Sequence, residues 1–194
     1  MDPRVAQVLR ELETFGIEFD SQTSNREDRM RNVVPKTGEY LAFLIKWRRP
    51  KKVLEIGTSN GYSTIWLAEA ARSIGTKVET VELSQSKADM AAENFEKSGL
   101  ADWINLHQRD AGEYLQEAVS ESYPLIFLDS ERTEYLGWWA DLKRVLERGG
   151  IVIADNLLSH ASEFGDFLAH VKQEEGFDVL ELPLDQGLLL IHKH

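Results

Sequence analysis

The 194-residue chain is expected to fold as an α/β protein with a doubly wound, seven-stranded, mostly parallel sheet and helices on both faces, a Rossmann-like arrangement. Three observations lead there. From Pro50 onward, short apolar runs alternate with amphipathic segments of helical period, the pattern of successive βαβ units. The run Val53–Ile56 breaks at Gly57 into a polar turn that closes at Gly61 and leads into a helix, the kind of strand-to-helix junction that binds ligands in such sheets. Only Pro183-Leu184-Asp185-Gln186-Gly187 separates the last two strand-like runs, too little chain for a right-handed crossover helix. Those two runs should therefore pair as an antiparallel hairpin at one edge.

The elements follow in order. An amphipathic helix is expected over Pro3–Phe15 and a second near Thr37–Trp47, with the polar stretch Ser21–Arg29 between them either a solvated loop or a lid. The apolar Asn32-Val33-Val34-Pro35 run would give a lid something to cover. Strands are expected near Lys52–Ile56, Lys77–Glu82, Ile104–Gln108, Leu125–Asp129, Gly150–Ala154, Asp178–Leu182 and Leu188–His192. Helices are expected near Ser63–Ser73, Gln85–Ser98, Ala111–Val119, Thr133–Leu146 and Ser162–Glu175. The segment Ile65–Ala71 is apolar on nearly every side, as a helix packed on a sheet should be. One domain is expected over 1–194, with 1–49 a helical cap and 50–194 a cofactor-binding core. Trp47, Trp103, Trp138 and Trp139 read as core or interface residues, and one of the adjacent pair Trp138-Trp139 should face outward, where it could serve a dimer contact.

Composition narrows the function. Acidic residues number 33 against 22 basic ones, a formal net charge of -11, which repels a phosphate backbone over most of the surface and makes nucleic acid a disfavoured partner. With no cysteine there is neither a disulfide framework nor a thiolate metal site. No apolar run is long enough to span a membrane and the first residues lack a secretory h-region, so a cytoplasmic location is expected.

The turn Gly57-Thr58-Ser59-Asn60-Gly61-Tyr62-Ser63 departs from the dinucleotide fingerprint G-x-G-x-x-G, because Ser59 stands where the second glycine would let a pyrophosphate approach. Nicotinamide-dependent oxidoreduction is disfavoured for that reason. An anion still suits the turn, since the following helix aims its free N–H groups and positive dipole end at it.

Three blocks carry a family resemblance: Val53–Ser63, then Ile126-Phe127-Leu128-Asp129, then Gly149-Gly150-Ile151-Val152-Ile153-Ala154-Asp155-Asn156. In that order, on those strand ends and followed by Gly187-Leu188-Leu189-Leu190, they resemble the class I S-adenosylmethionine-dependent methyltransferases, specifically the divalent-metal O-methyltransferases of the caffeoyl-CoA and catechol type. The resemblance implies a cofactor site lined by Val33, Glu55, Gly57, Thr58, Ser59, Gly61, Tyr62, Ser63, Glu82, Leu83, Asp110, Ala111 and Asp129. Ser63 can offer a hydroxyl as well as a backbone N–H, and Glu82 can accept from both ribose hydroxyls or serve only as a helix-start acid. Asp110-Ala111 is either an adenine-side contact or a plain N-cap.

The same resemblance implies a metal held by Asp129, Asp155 and Asn156, which close two neighbouring strands and offer oxygen only, suiting magnesium, calcium or manganese rather than zinc. It also implies a small acceptor with vicinal oxygens, and a possible homodimer. One departure stands out: the family's lysine three residues after the first metal aspartate is Arg132 here, and a guanidinium cannot give up its proton at working pH. Arg132 could stabilise an oxyanion, bind an acidic substrate, or merely pair with Glu131 or Glu134, while His160 is the other titratable candidate for a catalytic role beside Asp129. Two rival readings remain. One is methylation of a hydroxylated tRNA base, served by a basic cluster of Arg26, Arg29, Arg31 and Lys36; the other is a cofactor-binding module without catalysis.

Overall fold

The computed structural model describes residues 1–25 and 28–194. Along the chain run α1 (Pro3–Gln22), α2 (Pro35–Arg48), β1 (Val53–Ile56), α3 (Tyr62–Ser73), β2 (Val78–Glu82), α4 (Gln85–Ser98), β3 (Ile104–Gln108), α5 (Ala111–Glu117), β4 (Tyr123–Leu128), α6 (Tyr135–Val145), β5 (Leu146–Ala154), α7 (Ala161–Val171), β6 (Phe177–Leu182) and β7 (Leu188–Lys193). They build a seven-stranded sheet in the order β3-β2-β1-β4-β5-β7-β6. The strands from β3 to β5 pair in parallel, and β7 runs antiparallel to both of its neighbours. The reversed strand is thus one in from the edge, and β6 forms the edge itself.

Two apolar cores sandwich the sheet. On one face α1, α2, α3 and α4 pack through Val5, Leu9, Leu41, Ile45, Ile65, Leu67 and Phe95 against Val53, Val78, Leu125, Phe127 and Ile153. On the other, Leu115, Trp139, Leu142, Phe164 and Phe167 from α5, α6 and α7 cover Leu54, Ile56, Ile126, Leu128 and Val152. Successive strand residues point to opposite faces, so β1 and β4 feed both cores and are buried along their whole length. No helix among the described residues is long and apolar enough to cross a membrane.

Two elements and one side chain differ from expectation in ways that bear on packing. Helix α1 runs past Phe15 to Gln22, taking Ser21 and Gln22 out of the polar stretch. Gly16 does not interrupt it: a Cβ there would lie 2.6 Å from Asn32 Nδ2, so its bare backbone lets Asn32 donate to the Leu12 carbonyl at 2.9 Å. Strand β5 begins at Leu146 rather than Gly150, and the pairing with β4 shifts register between Tyr123 and Leu125, an irregularity in which Gly149 takes φ 73°. Trp47 is 71% exposed on α2, not core, whereas Trp139 is buried and donates from Nε1 to Glu174 Oε2 at 3.0 Å. Of the pair Trp138-Trp139, Trp138 is the half-buried one.

Candidate active site

The strand order reverses between β1 and β4, the switch point where open α/β sheets bind ligands at their carboxyl ends. Gly57 follows β1 there with φ 100°, and a Cβ on it would sit 2.1 Å from the Asp129 carbonyl oxygen. No other residue type could hold both that backbone angle and that approach. Its N–H donates to the Val81 carbonyl at 3.0 Å, and the turn closes with Gly61 N–H on the Thr58 carbonyl at 2.9 Å. Gly61, at φ 87°, then caps α3 with no side chain of its own, and Asn60 Oδ1 accepts the Tyr62 N–H at 3.2 Å, so the later N–H groups of the first turn are the ones that can face an anion.

Several side chains assigned to the cofactor face inward instead. Glu55 is 0% exposed and accepts from Ser63 Oγ at 2.6 Å, Thr80 Oγ1 at 2.6 Å and Thr64 Oγ1. With Thr80 donating to Glu55, the Thr58 hydroxyl at 2.6 Å donates to Thr80, so the hydrogen bonds run in one direction toward the acid. Burial pushes the Glu55 carboxyl up to about 7 in spite of those donors. The Ser63 hydroxyl is therefore committed to Glu55, and Tyr62, also buried, donates its phenol to Glu13 Oε1 at 2.7 Å. In this structure Glu55, Tyr62 and the Ser63 hydroxyl support the turn from behind rather than line it.

The outer wall is more open. Glu82 accepts the Ser59 N–H at 2.8 Å and the Ser84 N–H at 2.9 Å, which fixes its carboxylate at the end of β2 with lone pairs left for hydroxyl donors. Ser59, at φ 50°, donates its hydroxyl to the Met30 carbonyl at 2.9 Å, and Asp20 at the end of α1 accepts the Met30 and Arg31 N–H groups at 2.7 and 2.9 Å. The segment leading to Val33, which is buried, is thus strapped across the glycine turn. Leu83 is exposed at the same rim. Asp110 caps α5 by accepting Glu113 N–H at 2.9 Å, the plain helix-start role, with half-buried Ala111 beside it.

Beside the turn, the ends of β4 and β5 meet. Asp129 N–H donates to the Ile56 carbonyl at 2.9 Å and Asp155 N–H to the Leu128 carbonyl at 3.0 Å, so backbone bonds set both acids at the same level. Asn156, in the left-handed region at φ 70°, donates from Nδ2 to Asp129 Oδ1 at 3.1 Å. Asp155 is 3% exposed, and its Oδ1 is buried without a hydrogen-bond partner among the described residues. Burial, Asp155 and Glu55 hold the Asp129 carboxyl well above the ordinary range; burial and then Asp185 lift Asp155 to about 6, with the Asn156 N–H opposing.

Such a pair fits a cation. A buried carboxylate oxygen with nothing to accept is costly unless a positive group completes it, and the donor set offers oxygen alone. Asn156 presents nitrogen to Asp129 here, and the near-isosteric amide can offer oxygen from the same place.

Arg132 is neither exposed nor paired with Glu131 or Glu134. It is 3% exposed, donates from Nε to Glu163 Oε2 at 2.7 Å on α7 and from Nη1 to the Ser130 carbonyl at 3.3 Å, and leaves Nη2 buried without a hydrogen-bond partner among the described residues. Its charge acts on both Asp129 and Asp155, favouring their ionised forms. His160 precedes α7; its N–H donates to the Asn156 carbonyl at 3.0 Å and its Nδ1 lies 2.9 Å from Ser159 Oγ. In the basic cluster, Lys36 is held by Glu39 at 2.7 Å and Arg29 Nε donates to the Thr23 carbonyl at 2.9 Å; Arg26 lies outside the described residues.

Two participants escaped sequence reasoning. Glu163 gave no signal, being 31 residues from Arg132. Asp185, whose Oδ2 accepts from Thr37 Oγ1 at 3.1 Å, sits in the hairpin loop, and the insertion of β7 beside β5 is what brings that loop to Asp155.

Comparison with known proteins bears on the family and the fold. A family model described as O-methyltransferase matches residues 7–193. Catechol O-methyltransferases of Niastella koreensis and Mycobacterium tuberculosis are 32% and 30% identical over 133 and 126 residues, or 66% and 65% of this chain. Those matches span only 58% and 57% of the two relatives' own length. A caffeoyl-CoA O-methyltransferase of Stellaria longipes is 24% identical over 96% of this chain and 83% of its own. Among solved structures, a methyltransferase of Podospora anserina bound to SAH superposes with TM-score 0.84 at 22% identity, covering 100% of this chain and 89% of that one. An O-methyltransferase of Bacillus cereus in complex with SAH gives 0.82 at 23% identity, covering 97% and 91%.

Proposed function

The chain belongs to the O-methyltransferase family, and from that premise we propose that it methylates a hydroxyl of a small acceptor bearing two adjacent oxygens, using S-adenosylmethionine and a divalent cation. The observation that carries the cation is the buried, partnerless Asp155 Oδ1 next to Asp129. Asp129, Asp155 and Asn156 would hold magnesium, calcium or manganese, which when bound supplies orientation of the two acceptor oxygens and a lowered hydroxyl pKa. The printed names of the catechol and caffeoyl-CoA relatives support an acceptor of that kind.

The cofactor supplies a methyl on a sulfonium and a good leaving group, so what remains for the chain is position. The first turn of α3, beyond the Tyr62 N–H that Asn60 accepts, takes the cofactor's carboxylate, with Gly57, Thr58 and Gly61 keeping that wall free of side-chain bulk. Glu82 accepts the ribose hydroxyls beside Leu83, Ala111 and Asp110 flank the base, and the strap from Met30 to Val33 excludes water above Ser59. Arg132 stays charged, opposes the rise that burial imposes on the Asp129 and Asp155 carboxyls, and removes no proton. His160, anchored next to Asn156, would receive the acceptor's proton. Residues 1–49 act as a cap on the single unit 1–194, the location is cytoplasmic, and Phe43 and Trp47, exposed one turn apart on α2, suit a homodimer contact.

The test is transfer of labelled methyl from S-adenosylmethionine to catechol and to phenol, with and without chelator. Catechol should be methylated, phenol should not, and chelator should abolish the reaction until magnesium is restored. Transfer indifferent to chelator would overturn the cation; transfer to a hydroxyuridine-containing tRNA but not to catechol would favour the tRNA rival; cofactor binding with no acceptor would favour the inactive module.

A further inference from the structure

A second set of ligating side chains lies at the opposite end of β7 from the active site. Strand β7 begins beside the acids, Leu189 pairing with Ala154, and ends with His192 pairing with Ile151. There Asp178 of β6 stands opposite His192 in the antiparallel register, and His194 follows two residues on. The alternation of side chains puts both histidines on one face, and the His194 N–H extends the ladder to the Gly176 carbonyl at 2.9 Å. Asp178 Oδ2 is 3.6 Å from His192 Nδ1 and 3.0 Å from His194 Nε2. All three ligand atoms lie within 4.8 Å of one another. An ion bound at roughly 2.0–2.2 Å from each nitrogen and oxygen needs donors at about this separation.

We propose that Asp178, His192 and His194 form a metal site separate from the oxygen cluster of Asp129, Asp155 and Asn156, selective for a borderline divalent ion such as zinc or nickel. The donor set decides the class: two imidazoles and one carboxylate suit those ions, whereas magnesium and calcium prefer oxygen alone. The geometry decides the consequence. Ligands on β6 and at the end of β7 let the ion fasten the two strands to each other there, with its remaining positions open to water. The three side chains are between 46% and 75% exposed, so the ion can enter without the fold opening. Simple ion pairing is the competing explanation. It leaves two imidazoles, with ring centroids 5.9 Å apart, sharing one carboxylate oxygen, and as cations they would repel each other.

The experiment is calorimetric titration of zinc into chelator-stripped protein near neutral pH, on the wild type and on His192→Ala, His194→Ala and Asp155→Ala, with melting curves in parallel. The wild type and Asp155→Ala should bind zinc alike at this site. Each histidine variant should weaken binding by at least the roughly 10–100-fold that loss of even a supporting partner causes. Zinc should raise the melting temperature of the wild type and not of the histidine variants. The inference is overturned if zinc does not bind, if it binds the histidine variants as tightly as the wild type, or if only Asp155→Ala loses it. Because both histidines are open to solvent, their circular dichroism should match the wild type, so weakened binding reads on the ligands.

Discussion

Glu55 and Asp155 are both buried acids near the carboxyl ends of the strands, and burial lifts both toward neutrality, to about 7 and about 6. Their surroundings are opposite. Glu55 is met by three hydroxyls from α3 and β2, while Asp155 keeps an oxygen that accepts nothing. A carboxyl satisfied on every side ties the fold together; one left incomplete beside a second raised carboxyl waits for a ligand. The glycine turn separates the two roles, with Glu55 behind it and Asp155 beside its open face.

The largest expected effect is on Asp155. Its replacement by alanine should lower methyl transfer at least about a hundredfold, since losing even an outer partner of a metal costs roughly 10–100-fold. Stability should hold or rise, because a buried unpartnered charge is removed. Activity and thermal melts on the same sample check both halves. Glu55→Ala should do the reverse, costing about 3 kcal/mol of stability by stranding the Ser63, Thr64 and Thr80 hydroxyls, as read in urea denaturation. Equal loss of stability from both substitutions would erase the distinction.

The pH dependence sharpens it. With a folded pKa raised from 4.5 to about 7, Glu55 binds its proton more tightly in the folded state. Its contribution should be greatest below the unfolded value and fall as pH rises through that window, by roughly 3 kcal/mol in all. Glu55→Gln should flatten this part of the stability profile, and denaturation between those limits would show an unchanged slope if the reading were wrong. The smallest effect belongs to Thr80→Val, which removes one donor and the Thr58 hydroxyl's acceptor for about 1–2 kcal/mol. Methyl transfer should stay near that of the wild type.

Alternating apolar runs and turns made the strands, the hairpin and the meeting of Asp129 with Asp155 legible, since these depend on local period and on the side of the sheet where parallel strands end. What the sequence hid depends on distant partners. Arg132 was open to three roles, oxyanion stabiliser, acidic-substrate contact or surface ion pair, because Glu163 is remote in the chain, and it is in fact enclosed. Glu55 read as a cofactor contact because nothing local announced that Ser63, Thr64 and Thr80 would all turn toward it. Asp185 depended on β7 inserting between β5 and β6, an order that connection lengths alone do not specify. Gly16 and Gly149 showed as glycines, but not that the close approach of Asn32 lets α1 continue through Gly16 or that Gly149 takes the left-handed φ of 73° where β5 begins early.

The most direct test of the central claim is electron paramagnetic resonance of manganese added to the S-adenosylhomocysteine-bound protein, comparing the wild type with Asp155→Ala. The account predicts protein-bound manganese in the wild type, displaced by magnesium, and only the free-ion signal in the variant. Equal amounts of bound manganese in both would contradict it.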